Sequence, residues 1–266
     1  MNHFLSIFKF KITIFYIFFV GLCTFSFGQS RNEEIKTDTL PKPETAKAKL
    51  PQFRAGAQIG YAYRNAYITQ STYYSNGVSK PISNSMKEHL QQLNNNICYG
   101  ADFSYFLKCN IGFGVRYTGI GARAESSSVV FPFEDGSEIR SSISEKSGIH
   151  YIGAFVAIRN FLSDNNHCFF GSVGAGYLLT HNNTLISSSE IIINDHSAAF
   201  VVEVGYDFFI TQNFAIGLQA SMFLGSQKYY TYIIDNGYIK LTESIWQQKR
   251  INLSHLDITL GFRLYK

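Results

Sequence analysis

Charge is scarce in this chain of 266 residues, and so are tryptophan, methionine, proline and cysteine. Charged residues make up 16% of it, against roughly one quarter in an average soluble domain. The formal net charge of +4 includes no dense Lys/Arg run interleaved with aromatics, which leaves nucleic-acid binding without support. The 4 cysteines, Cys23, Cys98, Cys109 and Cys168, are scattered and show no C-x-x-C spacing, so neither a zinc site nor a disulfide framework is expected. Cys98 and Cys109 fall near opposite ends of one expected strand, too far apart to bond to each other. No metal and no cofactor is expected. Beyond the first 28 residues no apolar run approaches the ~20 residues of a spanning helix, so a membrane-embedded chain would have to cross as strands.

What the chain does have is aromatic residues, at 16%, with 24 Phe, 17 Tyr and 21 Gly. Its N-terminus carries Lys9 and Lys11, then the apolar stretch from Ile12 to Val20, then Ser26 and Gly28 ahead of Gln29. A basic start, a greasy core and a small-x-small site describe a secretory signal peptide over residues 1–28. Leu22 stands before Cys23 where a lipobox needs a small residue, so lipidation is not expected. Residues 29–51 mix Lys, Glu and Asp with Pro41, Pro43 and Pro51. With so few apolar groups they cannot offset ordering entropy, and they read as a disordered periplasmic linker. Residues 52–266 form the remaining domain.

That domain alternates. At its end Leu256, Ile258, Leu260, Phe262 and Leu264 occupy one parity, and Asp257, Thr259, Gly261, Arg263 and Tyr265 the other. The same pattern runs from Phe53 through Tyr63, and recurs in strands expected near 97–108, 111–118, 151–159, 169–179, 200–208 and 214–225. In the fourth strand both parities are apolar; placing Arg159 inward sets Ile152, Ala154, Val156 and Ile158 outward, because a cation on a lipid face is costly. A soluble barrel would alternate too, but its polar parity would be a solvated exterior rich in Lys and Glu. Here that parity is rich in glycine. Links of about three to five residues follow strands two, four and six, while roughly fifteen to thirty residues follow the odd strands, the rhythm of short periplasmic turns and long outer loops. The fold class is therefore all-β: an eight-stranded antiparallel transmembrane β-barrel of the outer membrane, with meander topology and both termini on the periplasmic side. Aromatics near strand ends, among them Tyr61, Tyr63, Tyr99, Phe208 and Phe214, suit girdles at the two interfaces.

The segments Gly112–Gly121, Tyr151–Arg159 and Asp257–Tyr265 resemble the outer-membrane β-barrel domain family common in Bacteroidetes, whose members are often labelled porin-like or PorT-like. The likeness extends from about residue 52 to the end and bears on fold more than on activity. It implies assembly by the barrel-assembly machinery, which reads a final strand ending in an aromatic; this chain adds Lys266 after Tyr265.

The polar parity collects Arg54, Arg64, Asp102, Arg116, Glu203, Asp207, Asp257 and Arg263, with Lys108 and Arg159 beside them. An eight-stranded barrel is just wide enough for side chains to fill, so mixed charges there describe a hydrogen-bonded plug, with a charge-lined solute path as the porin alternative. A third reading, a lipid-modifying enzyme, would draw on His181, Asp195, His196 and Ser187–Ser189, with His150 and His255 elsewhere; no spacing signature supports it. Met86, Leu90 and Leu93 fall on one face of a short helix over Ser85–Leu93. Tyr73, Tyr74, Tyr229, Tyr230, Tyr232 and Tyr238 enrich the expected outer loops for surface contact. The function expected is a non-enzymatic structural, adhesion or secretion-accessory role, with outer-membrane lipid and a surface or secretion partner as its contacts.

Overall fold

The computed structural model describes residues 50–64, 72–75, 78–81, 83–107, 110–132, 137–162, 166–227, 229–234, 239–244 and 251–266. The expected signal peptide, nearly all of the expected linker, Lys108, Cys109 and Tyr238 lie outside the described residues. Residues 51–266 form one compact unit. Its principal elements are β1 (Phe53–Arg64), α1 (Asn84–Gln92), β2 (Asn95–Phe106), β3 (Ile111–Pro132), β4 (Glu138–Phe161), β5 (His167–Ile186), β6 (Ser189–Thr211), β7 (Phe214–Gln227) and β8 (His255–Tyr265).

Each strand from β1 to β8 pairs antiparallel with the next. The last pairs back with β1, from Arg54↔Tyr265 to Arg64↔His255, closing an eight-stranded ring of the outer-membrane barrel type. Closure leaves no free edge within the ring.

Burial follows parity. Along β8 buried and exposed residues alternate without a break, and Leu256, Ile258, Leu260, Phe262 and Leu264 are all about half exposed. Ile59, Ile97, Val115, Ile152, Val156, Tyr177, Phe200 and Leu218 continue this apolar belt around the ring. Burying an aliphatic side chain is worth ~1.5–3 kcal/mol. Half-exposed in water, the five on β8 alone would forfeit about 6 kcal/mol, a large part of the whole stability of a typical domain. Such a surface belongs against hydrocarbon. No described helix is long and apolar enough to cross a membrane; the strands take that role.

The ring is lopsided. β1, β2 and β8 have 12, 12 and 11 residues, whereas β3, β4, β5 and β6 have 22, 24, 20 and 23. Spanning needs only ~9–11 residues per strand, so β3–β6 rise as a wall at the end of the barrel away from the termini. The long irregular loops expected after the third and fifth strands are instead continuations of those strands. Ser144, Ser147, Asn182 and Asn183 blur the alternation there, yet pairing persists from Gly121↔Gly148 to Pro132↔Glu138, through a bulge between Ser126 and Val129. β5 turns into β6 through Ser187 and Ser188 alone, with Ser187 at φ 55°. A further strand, Tyr229–Ile234, adds to β6 at Ile191–Asn194 and pairs with Ile239–Ser244; Tyr229, Tyr230 and Tyr232 lie in it, and Tyr73 and Tyr74 lie in Thr72–Ser75.

The expected short helix forms. Ser83 caps α1, its Oγ accepting from the Met86 N–H at 3.3 Å. Leu93 is fully buried and Met86 and Leu90 half-buried, but the residue that turns fully inward is His89. α1 also covers the upper edge of β3, which β2 is too short to pair. Gln92 Oε1 accepts from the Glu125 N–H at 3.2 Å, and Ser85 Oγ from the Val130 N–H at 3.2 Å. Ser83 Oγ donates to the Val130 carbonyl at 3.0 Å.

Candidate functional site

All eight charged residues singled out on the polar parity are buried in the lumen. Register explains their meeting: Asp102 lies opposite Arg116 on β3, and Glu203 opposite Ser221 on β7. Arg54 pairs with Asp102 and with Asp207 (Nε–Oδ2 3.1 Å), and its Nε also donates to the Tyr265 hydroxyl at 3.2 Å. That hydroxyl in turn donates to Asp207. Arg263 stands 4.0 Å from Asp207 and donates from Nη2 to Gln58 Oε1 at 2.6 Å and to Gln219 Oε1 at 2.8 Å. Arg116 pairs with Glu203, which also accepts from Ser221 at 2.9 Å and from the Gln219 amide. Gln219 therefore joins the two clusters, accepting from one arginine and donating to the other cluster's carboxylate.

Glycine makes room for this network. A Cβ on Gly217 would fall 2.2 Å from Asp207 Oδ1, and one on Gly56 would fall 2.7 Å from Arg263 Cδ. Gly56, Gly217 and Gly261 are the spaces into which Arg263 and its partners fold.

Charges and glycines on that parity are accompanied by aromatic rings. Arg54 lies over Phe170 at 4.2 Å, Arg116 over Phe155 at 4.7 Å, and Arg159 over Phe106 at 3.9 Å. Arg159 meets no carboxylate among the described residues and donates to the Pro51 carbonyl. Toward the wall, Ile120, Ile149, Tyr151, Leu178, Phe223 and Leu253 form an apolar layer over the ion pairs. His255 stacks on Phe223 at 4.4 Å, donates from Nδ1 to the Leu253 carbonyl at 2.9 Å, and stands 3.8 Å from Asp257. Arg64 is the register partner of His255. Asp257 and Arg64 thus sit apart from the two central clusters, beside this apolar layer. The lumen is a laminated plug, with an aromatic floor, a polar middle and an apolar roof.

Gln58, Gln219, Ser221, Tyr265 and the inward Phe rings were not singled out from the sequence. The glutamines and Ser221 stood on the polar parity, which was the available signal. Tyr265 read as a terminal assembly signal, and its hydroxyl proves to be part of the network.

The Ser–His constellation does not assemble. His181 and Ser187 lie six residues apart on one strand and its turn, which at ~3.4 Å per residue separates them by about 20 Å. Asp195 is turned inward and His196 outward on adjacent positions. His181 hydrogen-bonds Asn194 at 2.6 Å. Burial pushes the Asp195 carboxyl above the usual carboxylate range. Among the described residues no group of three or more His, Cys, Asp or Glu is placed to hold a metal ion.

No protein-family model matches this chain, and no curated protein matches it in sequence. Solved outer-membrane barrels are similar to it in shape. The outer membrane protease OmpT of Escherichia coli shows 11% identity and a TM-score of 0.47, over 87% of this chain and 100% of that one. Neisserial surface protein A shows 12% and 0.37, over 80% and 97%. Escherichia coli outer membrane protein W shows 14% and 0.32, over 82% and 100%. At these scores the likenesses say nothing about activity; the fold rests on the closed ring of strand pairings.

Proposed function

We propose that this chain is a non-enzymatic outer-membrane barrel, exported by its N-terminal signal, whose closed lumen anchors a surface-exposed wall that makes structural or adhesive contacts. The observation that carries this reading is the lumen itself. Arg54, Arg116, Arg263, Tyr151, Phe170 and Phe223 are each no more than 2% exposed inside it, which supports a filled lumen over the solute path of a porin. The wall is accessible and carries a depression of about 460 Å³ lined by Glu125, Ser126, Ser127, Ser142, Ser144, Ile143 and Leu185. Purified protein in planar bilayers is expected to give no discrete conductance steps. Large steps, or liposomes rendered permeable to sugars and amino acids, would replace this reading with the porin one.

A secretion-accessory role is the more specific form of the proposal. It draws on the resemblance of Gly112–Gly121, Tyr151–Arg159 and Asp257–Tyr265 to PorT-like barrels, and it expects loss of surface cargo in a deletion strain. Unchanged export in that strain would remove it. Assembly through the barrel-assembly machinery is likewise inferred from β8 and its terminal Tyr265, and Tyr265→Ser is expected to slow insertion.

A further inference from the structure

On the outward face of the wall, just above the apolar belt, β3 and β4 set two cations side by side. Arg123 and Lys146 are direct register partners, and both are exposed. Like charges directly opposite each other on paired strands repel, so the arrangement is costly unless an anion sits with it. Glu125 sits with both cations, accepting from the Arg123 Nε at 3.0 Å while Lys146 acts on the same carboxylate. Glu190, a further carboxylate of the wall, is engaged by the Asn183 amide at 2.6 Å. That amide leaves the Glu190 charge in place, and the excess of one positive charge belongs to the group of Arg123, Lys146 and Glu125 alone.

Directly below this pair the face is bare. Gly121 and Gly148 lie opposite each other. A Cβ on Gly121 would meet nothing within 4 Å, and one on Gly148 would come 3.4 Å from His150 Nε2. Below the glycines, Tyr117 and His150 form a floor, their rings stacked with centroids 6.0 Å apart and the Tyr117 hydroxyl 2.8 Å from His150 Nδ1. From Tyr117 downward the face continues into the belt through Val115, Phe113 and Ile152. The result is a notch about two residues, or ~7 Å, tall, roofed by cations and opening at its base onto the apolar surface.

We propose that this notch binds the phosphate headgroup of a membrane lipid, with Arg123 and Lys146 holding the phosphate while the acyl chains lie along the belt. Continuity with the belt favours a lipid over a free anion, since only an amphiphile satisfies the cations and the apolar face together. The proposal rests on the membrane reading above. Its test is native mass spectrometry of the folded protein released from nanodiscs of phosphatidylglycerol or phosphatidylcholine, with inorganic phosphate as a separate arm. The wild type is expected to retain phosphatidylglycerol selectively. Arg123→Gln with Lys146→Gln is expected to weaken retention about 25-fold, near fivefold per cation. Arg123→Lys with Lys146→Arg preserves it, and Glu125→Gln strengthens it. Equal retention of both lipids, or by the double Gln variant, overturns the site while leaving the barrel in its membrane. Inorganic phosphate binding as tightly as the lipid overturns the choice of a lipid. Failure of the wild type to insert, seen as identical migration of boiled and unboiled samples, overturns the membrane reading and the site together.

Discussion

Removing Glu203 should be among the most damaging single changes in the barrel. Its carboxylate is 1% exposed and answers Arg116, Gln219 and Ser221. Glu203→Ala leaves the Arg116 guanidinium in the lumen without its counter-charge, and Nε and Nη1 of that group already lack hydrogen-bond partners. Breaking a buried ion pair from one side costs ~3–5 kcal/mol, because the remaining charge stays desolvated. Replacing both partners by apolar residues of similar volume costs far less, so Glu203→Leu with Arg116→Met should recover most of the loss. With a urea dependence of about 2 kcal/mol per molar, a 4 kcal/mol loss lowers the unfolding midpoint by about 2 M. The assay is urea unfolding of protein reconstituted in vesicles, followed by Tyr fluorescence and by unboiled gel migration. Unfolding of the single variant at the wild-type midpoint would refute the plug as a source of stability. A double variant no better than the single would refute the desolvation argument in particular.

Three more outcomes follow from the same geometry. Gly217→Ala places a Cβ 2.2 Å from Asp207 Oδ1, and overpacking of this kind costs ~1–3 kcal/mol, read as a lower urea midpoint; an unchanged midpoint would show that the carboxylate moves aside freely. Leu260→Lys, on the belt at 57% exposure, should cost ~2–4 kcal/mol if it faces the bilayer midplane, and the same variant folding equally well in vesicles would contradict the belt. Asp195 has its folded-state pKa raised by burial, so the folded state holds that proton more tightly than the unfolded chain, and the resulting stability is present in acid and lost as pH rises through the folded value. Asp195→Asn should therefore be the more stable form near neutral pH and indistinguishable from wild type in acid; a gain in acid that disappears at neutral pH would reverse the sign.

Ring closure was legible in the sequence because parity is a strict signal. In β8 a shift of one residue would move Leu260 and Phe262 into the lumen and Asp257 and Arg263 into lipid, so pattern alone determines facing. The ambiguous fourth strand yielded to one cation: Tyr151, Phe155 and Arg159 are buried while Ile152 and Val156 are exposed. The wall was not legible, since beyond the belt neither face meets hydrocarbon and the alternation that marks a strand disappears. Ser144, Ser147 and Asn182 read as loop, yet the ladder between β4 and β5 runs through them as continuously as in the belt. Helix α1 was visible from Met86, Leu90 and Leu93, but its work on the β3 edge depends on Ser83, Ser85 and Gln92, polar residues that look like ordinary helix surface.

The lumen was legible as a set of charges and illegible as a structure, and the reason is register. Arg54 and Asp207 are 153 positions apart, and only the order of strands around a closed ring brings them to one height. The sequence shows glycine on the polar parity, but whether a glycine marks a turn, a weak strand or a space depends on what folds against it. Around Arg263 it marks space: Gly56, Gly217 and Gly261 lie where its side chain and its partners run. The inward Phe rings follow from the same constraint. A guanidinium in a narrow lumen has flat faces that a carboxylate covers poorly; Phe170 and Phe155 lie on those of Arg54 and Arg116 while acids take the edges, and Phe106 lies on that of Arg159, whose edge meets the Pro51 carbonyl. Arginine, rather than lysine, is what such a lumen demands, because a compact ammonium would leave both the rings and the glycine-made spaces unfilled.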